Sequence, residues 1–140
     1  MSDMINGVKY TTLIEKAKEA QQRAYCAYSN FKVGAAVLTR KGNIYTGCNI
    51  ENASYGLTMC ADRMAMFKAV SEGETDLDAM AIIVDSDEYA KPCGACRQVM
   101  AEFMDDDGLL ILCDRDGNYV TRTLGQLLPE AFTFRKTMPR

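Results

Sequence analysis

The chain has 140 residues, 48% of them hydrophobic, with a formal net charge of −3 and no histidine. That length and apolar content suit one domain, read here as spanning 1–140, with a single core. Scattered Lys and Arg on an acidic background exclude a basic groove for a phosphate backbone. The absence of imidazole excludes a Ser-His-Asp triad, a Cys-His nucleophile and a histidine-ligated metal, so acid–base chemistry falls to a carboxylate.

Residues 1–10 mix Ser2, Asp3, Asn6, Gly7 and Lys9, without the apolar stretch of a signal peptide, and no run reaches membrane-spanning length. The expectation is a cytoplasmic protein that meets neither membrane nor nucleic acid. From Tyr10 to about Tyr25, Leu13, Ile14, Ala17, Ala20 and Ala24 recur at helical spacing, which predicts an amphipathic helix. Tyr25 and Tyr28 are expected to pack that helix against a sheet. Lys32 to Thr39 and Asn43 to Cys48 flank the turn Arg40-Lys41-Gly42 and read as a hairpin. A loop follows to Leu57, then a helix from Thr58 to about Glu72, stopped by Gly73. Ala79 to Val84 is an apolar run suited to a buried central strand. Cys93 opens a third helix through about Met104. Leu109 to Cys113 and Asn118 to Arg122, joined through Asp116-Gly117, predict two final antiparallel strands, and Leu124 to Leu128 a short helix. The order predicts an α/β fold with a mixed five-stranded sheet covered by helices.

Cys93 and Cys96 lie one helical turn apart, and Cys60 stands at the start of another helix, so three sulfurs can converge. Helix N-termini favour thiolate over thiol, the form that binds metal. Three protein ligands leave a tetrahedral zinc one position for water, the pattern of a catalytic rather than a closed structural site. Three thiolates also make the metal a weaker Lewis acid. Arg63, beside Cys60, is positioned to draw charge back from the sulfurs. Cys26, Cys48 and Cys113 lack ligand spacing and are expected to be small buried hydrophobes, with Met64, Met66, Met80, Met100 and Met104 as packing residues. Cys93-Gly94-Ala95-Cys96 alone also suits a thiol–disulfide centre. Against that stand the third thiol, the lack of a preceding Trp, and a hairpin where a βαβ unit belongs.

Phe31-Lys32-Val33-Gly34-Ala35-Ala36, Cys48-Asn49-Ile50-Glu51-Asn52-Ala53-Ser54-Tyr55, Cys60-Ala61-x-Arg63, Pro92-Cys93-Gly94-Ala95-Cys96-Arg97-Gln98 and Leu127-Leu128-Pro129-x-Ala131-Phe132 closely resemble the small homotetrameric cytidine deaminases. The resemblance runs through almost the whole chain. It implies a three-layer fold, one Zn2+ per subunit on Cys60, Cys93 and Cys96, and hydrolysis of cytidine and deoxycytidine in pyrimidine salvage. It also implies ribose contacts from Asn49 and Glu51, Phe31 packing near the base, and main-chain contacts to the ring from Ala61 and Cys93. Ala53, Tyr55 and Phe132 would complete a neighbouring subunit's pocket. The family's catalytic glutamate falls on Asp62, whose side chain is shorter by one methylene. General acid–base catalysis contributes about 10²- to 10⁴-fold, so the loss of reach predicts slower turnover or a shift to N4-substituted cytidines. The competing reading is a zinc-stabilised nucleoside-binding scaffold.

Overall fold

The computed structural model describes residues 3–135. Seven strands and four α-helices follow in the order β1 (Met4–Ile5), β2 (Val8–Lys9), α1 (Tyr10–Gln21), β3 (Val33–Thr39), β4 (Ile44–Cys48), α2 (Ala61–Ser71), β5 (Leu77–Val84), α3 (Gly94–Phe103), β6 (Leu109–Cys113), β7 (Tyr119–Thr123) and α4 (Leu124–Leu127). The main sheet has the order β4-β3-β5-β6-β7. The β5–β6 pair is parallel; its other neighbours are antiparallel, including the final pair. Gly117 makes the last turn possible with a φ of 85°.

Both faces of this sheet are covered, which is why its central strands read as unbroken apolar runs rather than as an alternation. Leu13, Ile14 and Ala17 of α1 pack on Ala36, Leu38, Ala79, Ala81, Ile83, Ile111 and Cys113. The intervening residues Ala35, Val37, Met80, Ile82, Leu110 and Leu112 point the other way, into a core shared with Ala65, Met66 and Ala69 of α2 and Met100 of α3. The result is the three-layer arrangement.

Gly47 sets how close α2 comes to β4. A Cβ there would lie 2.5 Å from the Ala61 carbonyl oxygen and 2.6 Å from the Ala65 nitrogen, so only glycine admits this approach. The helix that carries Cys60 and Asp62 at its start is thus seated directly on an edge strand.

Several boundaries differ from expectation. Helix α1 ends at Gln21 rather than near Tyr25, because the chain is captured by a distant segment: the Tyr25 amide donates to the Asn49 carbonyl at 2.9 Å, and the Glu51 amide to the Tyr25 carbonyl at 2.8 Å. Tyr25 and Tyr28 therefore do not pack the helix on the sheet; they are 55% and 54% exposed. Helix α2 starts three residues later than Thr58, because Met59 makes a bridge to Ile50. The β1–β2 hairpin turns at Asn6 and Gly7, φ 49° and 75°, and its two-residue strands are too short for a periodic signal. A 3₁₀ turn, Tyr55–Leu57, interrupts the loop after β4. Cys113 is buried as expected, but Cys26 and Cys48 are only half-buried, being in loop and edge strand. Met66, Met80, Met100 and Met104 are buried in the core, whereas Met64 is partly exposed.

Candidate metal centre and active site

Two helix starts meet beneath the sheet end. Cys60 is the N-cap of α2 and Cys93 the N-cap of α3, with Cys96 in the first turn of α3. Their sulfurs all lie within 4.8 Å of one another, the metal-ligating cluster found among the described residues. Zinc–sulfur bonds of about 2.3 Å in tetrahedral geometry need sulfurs about 3.8 Å apart, so this donor set fits a zinc ion without moving the backbone. Cys93 and Cys96 are closest, at 3.3 Å, and the Cys96 amide donates to the Cys93 sulfur at 3.4 Å.

The local electrostatics favour thiolate at Cys60. The hydrogen bond from Cys96 and then the nearby Arg63 guanidinium pull its thiol down to about 5, against the opposing effect of burial. Arg63 Nη2 lies 3.3 Å from that sulfur, and the partnership holds the guanidinium charged above its ordinary value. Cys96 is pushed up by its bond to Cys60 and by burial. Without metal the cluster thus shares protons; a divalent ion replaces them.

Asp62 stands in the first turn of α2 and is 4% exposed. Burial raises its carboxyl above the usual carboxylate range, and the neighbouring Cys60 charge adds to this, although a Cys96 hydrogen bond opposes it. A carboxyl held this way keeps a proton more readily than one in water. Asp62 and the three cysteines line a cavity of about 260 Å³, together with Ala61, Phe31, Asn49 and an apolar wall from Val33, Ile82 and Val84.

The remaining expected site residues divide into those near this cavity and those remote from it. Asn49 is 9% exposed and lines it, but its side chain is already engaged: Oδ1 accepts from the Val33 amide at 2.9 Å and Nδ2 donates to the Phe31 carbonyl at 2.8 Å. It holds Phe31 and Val33 in place. Glu51 and Tyr55 line an adjoining depression, joined to the metal cavity through Thr58. The Glu51 carboxylate accepts from the Ser29 hydroxyl and from the Ser29 and Tyr28 amides at 3.0 and 2.9 Å. The Ser29 hydroxyl and then its amide hold it below the usual carboxylate range. Ala53 is exposed on the loop, and Phe132 is 73% exposed, stacked edge-on against Phe134. Neither lines the cavity. Thr58, Lys91 and Pro92 do line it and were not anticipated, although Pro92 adjoins a predicted ligand.

Residues 8–110 match the family model for the cytidine and deoxycytidylate deaminase zinc-binding region. A cytidine deaminase of Halalkalibacterium halodurans is 50% identical over 121 residues, which are 86% of this chain and 92% of that protein. A blasticidin-S deaminase of Bacillus cereus is 30% identical over 130 residues, covering 86% and 91%. The crystal structure of a cytidine deaminase from Burkholderia pseudomallei superposes with a TM-score of 0.85 at 45% identity, covering 88% of this chain and 98% of that one.

Proposed function

The chain belongs to the zinc-binding cytidine deaminase family of hydrolytic enzymes, and from that premise we propose that it converts cytidine and deoxycytidine to the uracil nucleosides and ammonia. Cys60, Cys93 and Cys96 would hold the zinc. When bound, the ion supplies the Lewis acidity that makes a water molecule nucleophilic at neutral pH. Asp62 performs the proton transfers. It takes the proton released as water oxygen adds to C4 and delivers it to ring N3, then takes the proton of the new C4 hydroxyl and passes it to the departing amine as the C4–N4 bond breaks and the C4 carbonyl forms. Arg63 donates to the Cys60 sulfur, offsetting the negative charge that three thiolates place on the metal. The observation that carries this reading is a buried carboxyl placed beside three convergent sulfurs in one cavity.

The nucleoside sits with its base near Phe31 and the main chain of Ala61 and Cys93. Its ribose reaches Asn49 and Glu51, whose depression opens from the same cavity. An ionised Glu51 only accepts hydrogen bonds, which suits sugar hydroxyls. The working form is a homotetramer in which Ala53, Tyr55 and Phe132 complete a neighbour's pocket. The 78% exposure of Tyr55, 70% of Leu57 and 73% of Phe132 supports a partner surface there. Salvage of pyrimidine nucleosides in the cytoplasm is the setting this activity implies.

The short reach of Asp62 favours a second reading, in which the cavity binds nucleoside but turns it over slowly or prefers N4-substituted cytidines. Ultraviolet absorbance of cytidine with zinc-loaded protein tests both. Loss of the cytidine band with release of ammonia, abolished by Asp62→Asn, is expected. Binding without turnover, or turnover of N4-substituted cytidines alone, supports the second reading.

A further inference from the structure

The three metal-ligating cysteines differ in what holds them. Cys96 is buried, and Cys60 is half-buried with its sulfur against Arg63. Cys93 is exposed and follows a nonhelical stretch from Asp85, so burial cannot fix it. Its placement must come from the backbone on either side.

We propose that Arg97 is a positioning residue of the metal centre, its guanidinium clamping the loop that presents Cys93 to the C-terminal segment so that zinc retention depends on a side chain that contacts neither the metal nor a ligand sulfur. This rests on the zinc reading above. Arg97 lies one residue past Cys96 and reaches back over the start of α3. Its Nε donates to the Pro92 carbonyl at 2.7 Å, and Nη1 to the Leu127 carbonyl at 2.9 Å. Pro92 directly precedes Cys93, so the first bond fixes the peptide plane from which Cys93 is hung. Leu127 ends α4, which is itself anchored: Thr123 and Gln126 form a reciprocal capping box, and the Leu124 amide donates to the Gly108 carbonyl at 2.9 Å. The next residue repeats the tie, with Gln98 Nε2 donating to the Phe132 carbonyl at 2.6 Å.

A planar guanidinium presents several donors in a rigid fork and spans two carbonyls at once, whereas a lysine ammonium is a point donor on a flexible stem. Arg97 therefore joins two segments 35 residues apart in the chain, Pro92 and Leu127, at the point where one of them becomes a ligand. Coupling of this kind is reciprocal: if the α4 segment steadies Cys93, zinc on Cys93 steadies the α4 segment.

The test uses zinc-loaded full-length protein and reads the rate of zinc transfer to an excess of a chromogenic chelator. Arg97→Met keeps the aliphatic stem and removes both donors. It is expected to speed release about 10- to 100-fold, the usual effect of removing a group that orients a ligand, with Arg97→Lys intermediate. Hydrogen exchange at Leu127 to Phe132 is expected to quicken when wild-type protein loses zinc, and to be quick with or without zinc in Arg97→Met. An unchanged release rate, with the melting temperature falling equally in loaded and metal-free protein, overturns the proposal and leaves Arg97 a packing residue. Should Arg97→Met fail to fold, Thr123→Ala loosens α4 from the far side; faster release supports the clamp and an unchanged rate overturns it. A wild-type protein that takes up no zinc overturns the zinc reading itself, and the clamp with it.

Discussion

At Asp62 the functional question is one of length. The carboxyl is buried beside the sulfurs, and its proton affinity is raised in the direction a proton shuttle needs. Reach rather than acidity is therefore the expected deficit. Asp62→Glu is expected to raise kcat/KM for cytidine by about 10²-fold, within the range that general acid–base catalysis covers; equal rates in a side-by-side absorbance assay would show that the shorter chain already makes contact. Much at this scale was legible beforehand. Cys93 and Cys96 are neighbours on any helix, so their convergence needed no tertiary information. The hydrogen bonds that engage Asn49 and Glu51 were not legible, because their partners Phe31, Val33, Tyr28 and Ser29 are brought to them only by the folded loop.

Among the elements, the seat of α2 on β4 is the most sensitive joint. Gly47→Ala drives a Cβ into the backbone at Ala61 and Ala65, immediately behind Asp62. A loss of about 3 kcal/mol, the upper part of the overpacking range, is expected in urea unfolding, together with lost activity from a displaced helix start. A second joint ties the β3–β4 turn to the segment between α2 and β5. Tyr45 donates to Glu74 at 2.5 Å and Asn43 donates to the same carboxylate at 2.9 Å. The Thr39 hydroxyl, then the Tyr45 hydroxyl, hold Glu74 below the usual carboxylate range, while the bond to Glu74 lifts Tyr45 to about 12. The signs follow. A lowered carboxylate contributes stability above its unfolded value, about 4.3, and loses it as pH falls through the folded value; a raised tyrosine contributes below about 10 and loses it as pH rises towards 12. The stability gap between wild type and Tyr45→Phe is expected to be level near neutrality and to shrink between about pH 10 and 12 in urea titrations. That between wild type and Glu74→Gln is expected to shrink on the acid side. Strand runs revealed the elements because the sheet is buried on both faces. The end of α1 was hidden because a bridge from Tyr25 to Ile50, far along the chain, overrides a helical period that continues to Ala24.

For the whole molecule, the aromatic and aliphatic residues left outside the core, among them Tyr25, Tyr55, Leu57 and Phe132, predict self-association. Sedimentation is expected to give the mass of four chains, and a monomer that nonetheless deaminates cytidine would remove the need for shared pockets. The layers and strand directions could be anticipated from periodicity and turns, whereas a second copy meeting Ala53, Tyr55 and Phe132 was implied by the resemblance alone, since a surface pattern does not name its partner. The positions of Cys60 and Cys93 carry one more consequence. Each is the residue that begins a helix, and Cys60 offers no side-chain bond to the free amides behind it. A single ion would therefore tie the two helix starts to one another, so its removal frees both together. Arg63 lies in the first turn of α2. Trypsin should then report the metal directly: chelated protein is cut rapidly after Arg63, while the zinc-loaded protein survives there.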